Sequence, residues 1–119
     1  APFMLTQFLI PALVKSEDAR ILFLSSSVGR EARAYWGAYS VSKFGIEGFA
    51  KTLSEELEKT NITVNTVNPG KLRTEMRRTA YPAEDSSTVP TPEEKSAAIV
   101  YLLSSLSPKM NGEQLTIAD

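Results

Sequence analysis

The 119-residue chain contains neither cysteine nor histidine. Without thiols it has no disulfide framework and no thiolate metal site, and without imidazole it has no serine–histidine triad of its own. Its aspartates and glutamates do not cluster at metal-ligand spacing. Neither sign of charge dominates: 13 basic and 14 acidic residues leave a net charge of −1. With no basic run, nothing in the chain points to nucleic acid as a partner. Apolar runs fall far short of a bilayer span, so no membrane association is expected. No basic stretch precedes the apolar residues at the start, which argues against a signal peptide and makes the cytoplasm the default location. There are no internal repeats. The apolar fraction, 42%, is ordinary for a globular chain, and the length suits one small domain.

What is present is a schedule of polar residues. Ser26 precedes Tyr39 by thirteen positions, and Lys43 follows four later. On a helix, positions i and i+4 share a face, so the Tyr39 phenol and the Lys43 ammonium point the same way. A free phenol titrates near ~10 and is a poor acid or base at neutral pH; a neighbouring cation favours its ionised form. Such a phenol can take a proton from an alcohol or return one to a carbonyl, with Ser26 hydrogen-bonded to the same oxygen. Further on, Asn68-Pro69-Gly70 and Thr74 supply a turn and a hydroxyl suited to cradling a nicotinamide ring. Taken singly, each piece has a plainer reading. Tyr-x-x-x-Lys arises by chance, Ser25-Ser26-Ser27 makes a polar strand exit, and Asn-Pro-Gly is a good turn. Order and spacing together favour the proton relay.

The surrounding pattern alternates helix and strand. Residues 3–15 read as a buried helix with a kink or boundary at Pro11. Residues 20–25 read as a short strand covered on both faces, and 29–36 as a loop. Residues 38–59 read as a helix whose inward positions are Val41, Phe44, Gly48, Phe49, Thr52 and Leu57. Glu47/Lys51 and Glu55/Lys59 form outward pairs, and Phe49 and Leu53 are also left on an outer face. Gly45 and Gly48 suggest the close approach of another backbone. Residues 62–67 alternate and are β-branched, as in a strand. Thr91-Pro92-Glu93-Glu94 is a capped helix start, and Ile99, Leu102, Leu103 and Leu106 form its buried stripe. A last strand covers 113–117. The fold class is therefore α/β, with strands spaced by helices, parallel pairing and right-handed crossovers. Ser26 and Asn68-Pro69-Gly70 then lie at carboxyl ends of strands, where ligands bind such sheets.

These residues resemble the single-domain short-chain dehydrogenase/reductases over essentially the whole chain. The likeness rests on the serine strand exit, Tyr39/Lys43, Val64-Asn65-x-Val67-x-Pro69-Gly70 and Asn111-Gly112-Glu113-Gln114-Leu115. Phe3-Met4-Leu5-Thr6-Gln7 and Ser25-Ser26-Ser27-Val28-Gly29-Arg30 are similar to a bacterial branch whose substrate is unassigned. The resemblance implies the C-terminal part of a Rossmann-like doubly wound parallel sheet, three strands of it in this chain, with residues 1–119 forming one half of a single NAD(P)-binding domain. It implies that Ser26 orients substrate, Tyr39 is the acid/base and Lys43 binds the nicotinamide ribose. Tyr39, Lys43, Pro69, Gly70, Leu72 and Thr74 would meet the cofactor, either NADP or NAD, with NADP favoured by the branch. The family's glycine-rich phosphate turn, its Asn-Ala-Gly segment and the asparagine of its relay have no counterpart in these residues.

Several expectations follow. The polar, proline-rich stretch 77–92 is either a surface connection or a lid over substrate, and the resemblance favours the lid. Trp36 and Tyr81 either line an apolar pocket or merely pack. Arg30 and Arg33 are expected in solvent rather than on an anionic substrate. Helices 3–15 and 38–59 should pair across a twofold axis, giving a homodimer or homotetramer. The strand at 20–25 should present an open edge, and the chain by itself should be inactive. The expected function is interconversion of a small-molecule carbonyl and alcohol. The alternatives are a non-catalytic Rossmann-like scaffold acting through its helices and a nucleotide-sugar epimerase or dehydratase, which shares Tyr-x-x-x-Lys.

Overall fold

In a computed structural model describing residues 1–118, the elements run α1 (Pro2–Leu13), β1 (Ala19–Leu24), α2 (Gly37–Glu56), β2 (Ile62–Asn68), α3 (Glu75–Ala80), α4 (Pro92–Leu103) and β3 (Gln114–Thr116). The three strands form one parallel sheet in the order β1-β2-β3. β2 lies at its centre, and every residue from Ile62 to Val67 is buried. Alternation along the strands sorts the two faces. Ala19, Ile62 and Val64 meet Ala50 and Leu53 of α2, with Ile10 and Leu13 of α1 packed against the same cluster. A run of rings, Phe3–Phe49–Phe23, with centroids 5.3 and 5.5 Å apart, joins α1, α2 and β1. On the opposite face the Arg20 guanidinium donates to the carbonyls of Ser107 (3.0 Å) and Leu102 (3.5 Å), tying the end of α4 to β1.

Local chemistry accounts for the boundaries. α4 starts with a complete capping box: Thr91 Oγ1 accepts from the Glu94 N–H, and the Glu94 carboxylate accepts from the Thr91 N–H. β3 is aligned by two asparagines. Asn111 Oδ1 accepts from the Val64 N–H, and Asn65 bridges the Met110 carbonyl and the Glu113 N–H. Gly112, at φ +74°, makes the turn that brings the chain alongside β2.

Several expectations are corrected. α1 does not stop at Pro11 but continues to Leu13; near a helix end the missing N–H removes only one bond. β1 is half-covered rather than buried on both faces, and its second edge has no partner strand among the described residues. The inward face of α2 combines one large apolar residue with small and polar ones: Glu47, Ala50, Leu53 and Ser54 are buried. Leu53 therefore lies in the core, not outside, and Phe49 and Leu57 flank it. Val41, Phe44, Gly48 and Thr52 are exposed, Val41 to 74%. The pair expected at Glu47/Lys51 is replaced by Lys51–Glu55 (3.9 Å), since Glu47 is turned inward. No atom lies within 4 Å of a Cβ built at Gly45 or Gly48, so no other described backbone approaches them. In α4, Lys95 takes a buried position and Leu103 is exposed, while Leu106 lies beyond the helix, which ends at Leu103, and is exposed too. The final strand is shorter than 113–117, and a short helix, α3, forms where only a connection was expected.

Candidate active site

All three strands end at the same side of the sheet, and a cleft of about 640 Å³ opens beyond them. β1 leads into it through Ser25, whose N–H donates to the Val67 carbonyl (2.8 Å). Ser26 is extended, and its Oγ accepts from the Val28 N–H (3.2 Å), capping a 3-10 turn over Ser27–Gly29. Accepting that bond leaves the serine's own proton available for donation.

The turn lies along the first half of α2. Ser40 Oγ donates to the Val28 carbonyl (3.2 Å). Gly29 sits so close to the Lys43 backbone that a Cβ there would come within 2.8 Å of the Lys43 carbonyl oxygen. Tyr39 enters the cleft from the first turn of this helix, beside Trp36 (ring centroids 5.6 Å apart). The Lys43 ammonium lies 5.8 Å from the Tyr39 ring centroid and donates to the Leu24 carbonyl at the end of β1 (3.1 Å).

β2 delivers the opposite wall. Asn68 Oδ1 accepts from the Gly70 N–H (3.0 Å), closing an Asx turn in which Gly70 adopts φ +74°. Thr74 caps α3 by accepting from the Arg77 N–H (3.2 Å). Beyond it, Met76, Ala80 and Tyr81 border the cleft, Tyr81 lies 6.3 Å from Trp36, and the Arg77 guanidinium stacks 4.1 Å from the Tyr81 ring. Arg77 is also bidentate on Glu84 (2.8 and 2.9 Å), which folds the stretch after α3 against the helix. Thr116, Ile117 and Ala118 complete the lining; the Ile117 N–H donates to the Asn68 carbonyl (2.9 Å) and the Lys95 ammonium to that of Ala118 (2.9 Å).

Six of the seven residues singled out by sequence thus border one cleft: Ser26, Tyr39, Pro69, Gly70, Leu72 and Thr74. Lys43 stands one helical turn behind Tyr39, toward the free edge of β1, and does not line it. Trp36 and Tyr81 do line it, as does part of the 77–92 stretch. Arg33 is exposed at the rim.

Arg30 corrects an expectation: it is held within the fold rather than free in solvent. Its Nε donates to Glu47 Oε1 (2.9 Å), and its remaining nitrogens donate to the Thr116 hydroxyl (3.0 Å), the Leu115 carbonyl (2.9 Å) and the Thr66 hydroxyl (3.3 Å). Glu47 Oε2 also accepts from Thr66 Oγ1 (2.8 Å) and Gln114 Nε2 (3.0 Å). Burial by itself would raise the Glu47 carboxyl, but Ser25, Arg30, Thr66 and Gln114 outweigh it and hold the group below its usual value. The buried Ser25 hydroxyl makes no well-formed hydrogen bond, so its share is a polar contact with the carboxylate. A sequence signal for Glu47 existed: Tyr39, Lys43 and Glu47 fall at i, i+4 and i+8, one face of one helix.

A parallel α/β sheet with its cleft beyond the carboxyl ends of the strands defines the Rossmann-like class. Within that class the chain belongs to the short-chain dehydrogenase family, whose profile matches residues 1–85. It is 44% identical over 112 residues to the uncharacterized oxidoreductase YciK of Escherichia coli K12, covering 94% of this chain and 44% of that protein. A crystal structure of a short chain dehydrogenase from Salmonella enterica serovar Typhi superposes with a TM-score of 0.92 at 42% identity, covering 97% of this chain and 47% of that one. A Shigella flexneri 2a protein crystallised with NADP gives a TM-score of 0.90 at 42% identity, covering 97% and 48%. The chain spans about half the length of the curated relatives it matches.

Proposed function

We propose that this chain carries the proton-transfer and nicotinamide-facing half of an NAD(P)-dependent oxidoreductase that interconverts a carbonyl and an alcohol. On this reading residues 1–119 form the C-terminal half of one dinucleotide-binding domain. The observation that carries it is that Ser26 and Tyr39 line one cleft, with the Lys43 ammonium 5.8 Å from the Tyr39 ring. Ser26 donates to the substrate oxygen and holds it in line. Tyr39 gives that oxygen a proton in reduction or takes one in oxidation. The Lys43 cation stabilises negative charge on the phenol.

The residues fit the nicotinamide end of a cofactor. Gly70, in a left-handed turn, adds no side chain to the wall beside Pro69, and Leu72 and Thr74 continue that wall. No glycine-rich phosphate turn accompanies them in this chain, so they fit one end of a dinucleotide only. When bound, the nicotinamide supplies or accepts the hydride. NADP is favoured because a relative of this shape was crystallised with it. The exposed Phe3, Met4, Leu5 and Phe8 of α1, with Val41 and Phe44 of α2, support association of two copies through these helices.

Screening carbonyl and alcohol panels with both cofactors on the full-length protein identifies the substrate class. Lys43→Ala tests the site: turnover falls and cofactor binding weakens together, because one ammonium serves both. Unchanged cofactor affinity in that variant removes Lys43 from the ribose.

A further inference from the structure

The 3-10 turn after β1 and the catalytic face of α2 meet at three successive rungs. Val28 meets Ser40, Gly29 meets Lys43, and Arg30 meets Glu47. Consecutive residues of the turn thus engage consecutive turns of the helix. The first rung is one neutral, partly buried hydrogen bond, and the second is a close approach that leaves no room for a side chain. The third alone is ionic. It alone also reaches β3, through the Thr116 hydroxyl and the Leu115 carbonyl, and β2 through Thr66.

Glu47 is buried and Arg30 half-buried, with side-chain exposures of 7% and 19%. A buried ion pair adds little net stability over apolar side chains of equal volume, so stability alone is a poor reason for building one here. What the pair does add is direction. A planar guanidinium with four acceptors on three elements admits a single orientation. That orientation fixes where the turn beginning at Ser26 lies relative to the helix beginning beside Tyr39.

We propose that Arg30 and Glu47 are a positioning pair, holding the Ser26 hydroxyl at the distance from the Tyr39 phenol that a shared substrate oxygen requires. The inference rests on the proton-relay reading above. Neither residue meets substrate or cofactor; Arg30 acts through Ser26, and Glu47 acts through Arg30. Arg30→Lys keeps the charge but loses the planar fork, so one ammonium cannot span the acceptors on all three elements and the turn is held less rigidly.

The test is a double-mutant cycle on the full-length enzyme: the parent, Arg30→Lys, Ser26→Ala and the double variant, with kcat and KM for substrate and cofactor. Misplacement by a fraction of an ångström predicts a fall in kcat on the order of tenfold for Arg30→Lys, with the KM for cofactor within about twofold of the parent. In the Ser26→Ala background the same substitution then costs less than about twofold, because the hydroxyl it positions is gone. An equal loss in both backgrounds, as a reduced folded fraction would give, overturns the inference and leaves the relay intact. A parent-like kcat for Arg30→Lys also overturns it. A parent-like kcat for Ser26→Ala overturns the relay reading and the inference together. Should Arg30→Lys fail to fold, Glu47→Gln, which keeps volume and loses charge, enters the same cycle with the same expected pattern.

Discussion

Gly29→Ala places a methyl group where the structure has no room for one. The Cβ would lie 2.8 Å from Lys43 Cβ, 2.8 Å from the Lys43 carbonyl oxygen and 2.9 Å from its carbonyl carbon. Ordinary contact begins near 3.4 Å, so turn and helix must part by about 0.6 Å. Two of the three obstacles are backbone atoms inside a 20-residue helix, which does not yield. The 3-10 turn must move instead. Gly29 does not adopt a positive φ, so alanine adds no backbone strain and the clash is isolated. Overpacking of this kind costs about 1–3 kcal/mol, partly offset by 0.4–1 kcal/mol from a stiffer unfolded chain. The net expectation is ~1–2 kcal/mol. Urea unfolding of the full-length protein should show a lower midpoint at unchanged slope. Because the displaced turn carries Ser26, kcat should fall on the order of tenfold as well. A midpoint and a kcat both within error of the parent would refute the packing argument.

The remaining predictions concern charge and association. Glu47 is held below its usual 4.5, so its ionised form contributes fully to stability above that value, and the contribution is lost as pH falls through the lower, folded-state value. Urea midpoints measured from pH 7 to 3 should therefore decline on the acid side, less steeply in Glu47→Gln; equal slopes would contradict the assignment. Phe8, 81% exposed on an apolar helix, belongs to the proposed subunit contact. If the full-length protein assembles through this helix as proposed, Phe8→Glu should shift its sedimentation toward smaller species, and an unchanged assembly would remove α1 from the interface.

The layered order of helix and strand was legible because its signals are local. β2 advertises itself through Ile62, Thr63, Val64 and Val67, and α4 through the complete capping box at Thr91 and Glu94. The cleft was legible through residue order, since Ser26 and Asn68-Pro69-Gly70 fall at strand ends whatever the details of packing. The inner face of α2 was not. Charges at helical spacing read as outward, so Glu47 was matched with Lys51 rather than with Arg30, a partner seventeen residues back on another element. The apolar side chains of α2 misled in the same way. Val41 and Phe44 face outward, while Ala50 and Leu53 pack against the sheet and Glu47 and Ser54 are buried beside them. Periodicity sums hydrophobicity and cannot weigh how near two backbones come. The end of α4 failed for a different reason: Leu103 and Leu106 extend the stripe on paper, but the chain leaves the helix at Ser104.

The central claim is that the Tyr39 hydroxyl moves the proton when carbonyl and alcohol are interconverted. Tyr39→Phe removes that oxygen and leaves the ring against Trp36, so the fold of the full-length protein should be retained. Steady-state turnover of its best carbonyl substrate should fall at least about a hundredfold, the usual scale for a positioned acid/base. Turnover within a few-fold of the parent in a folded Tyr39→Phe variant, at saturating cofactor, would contradict the account.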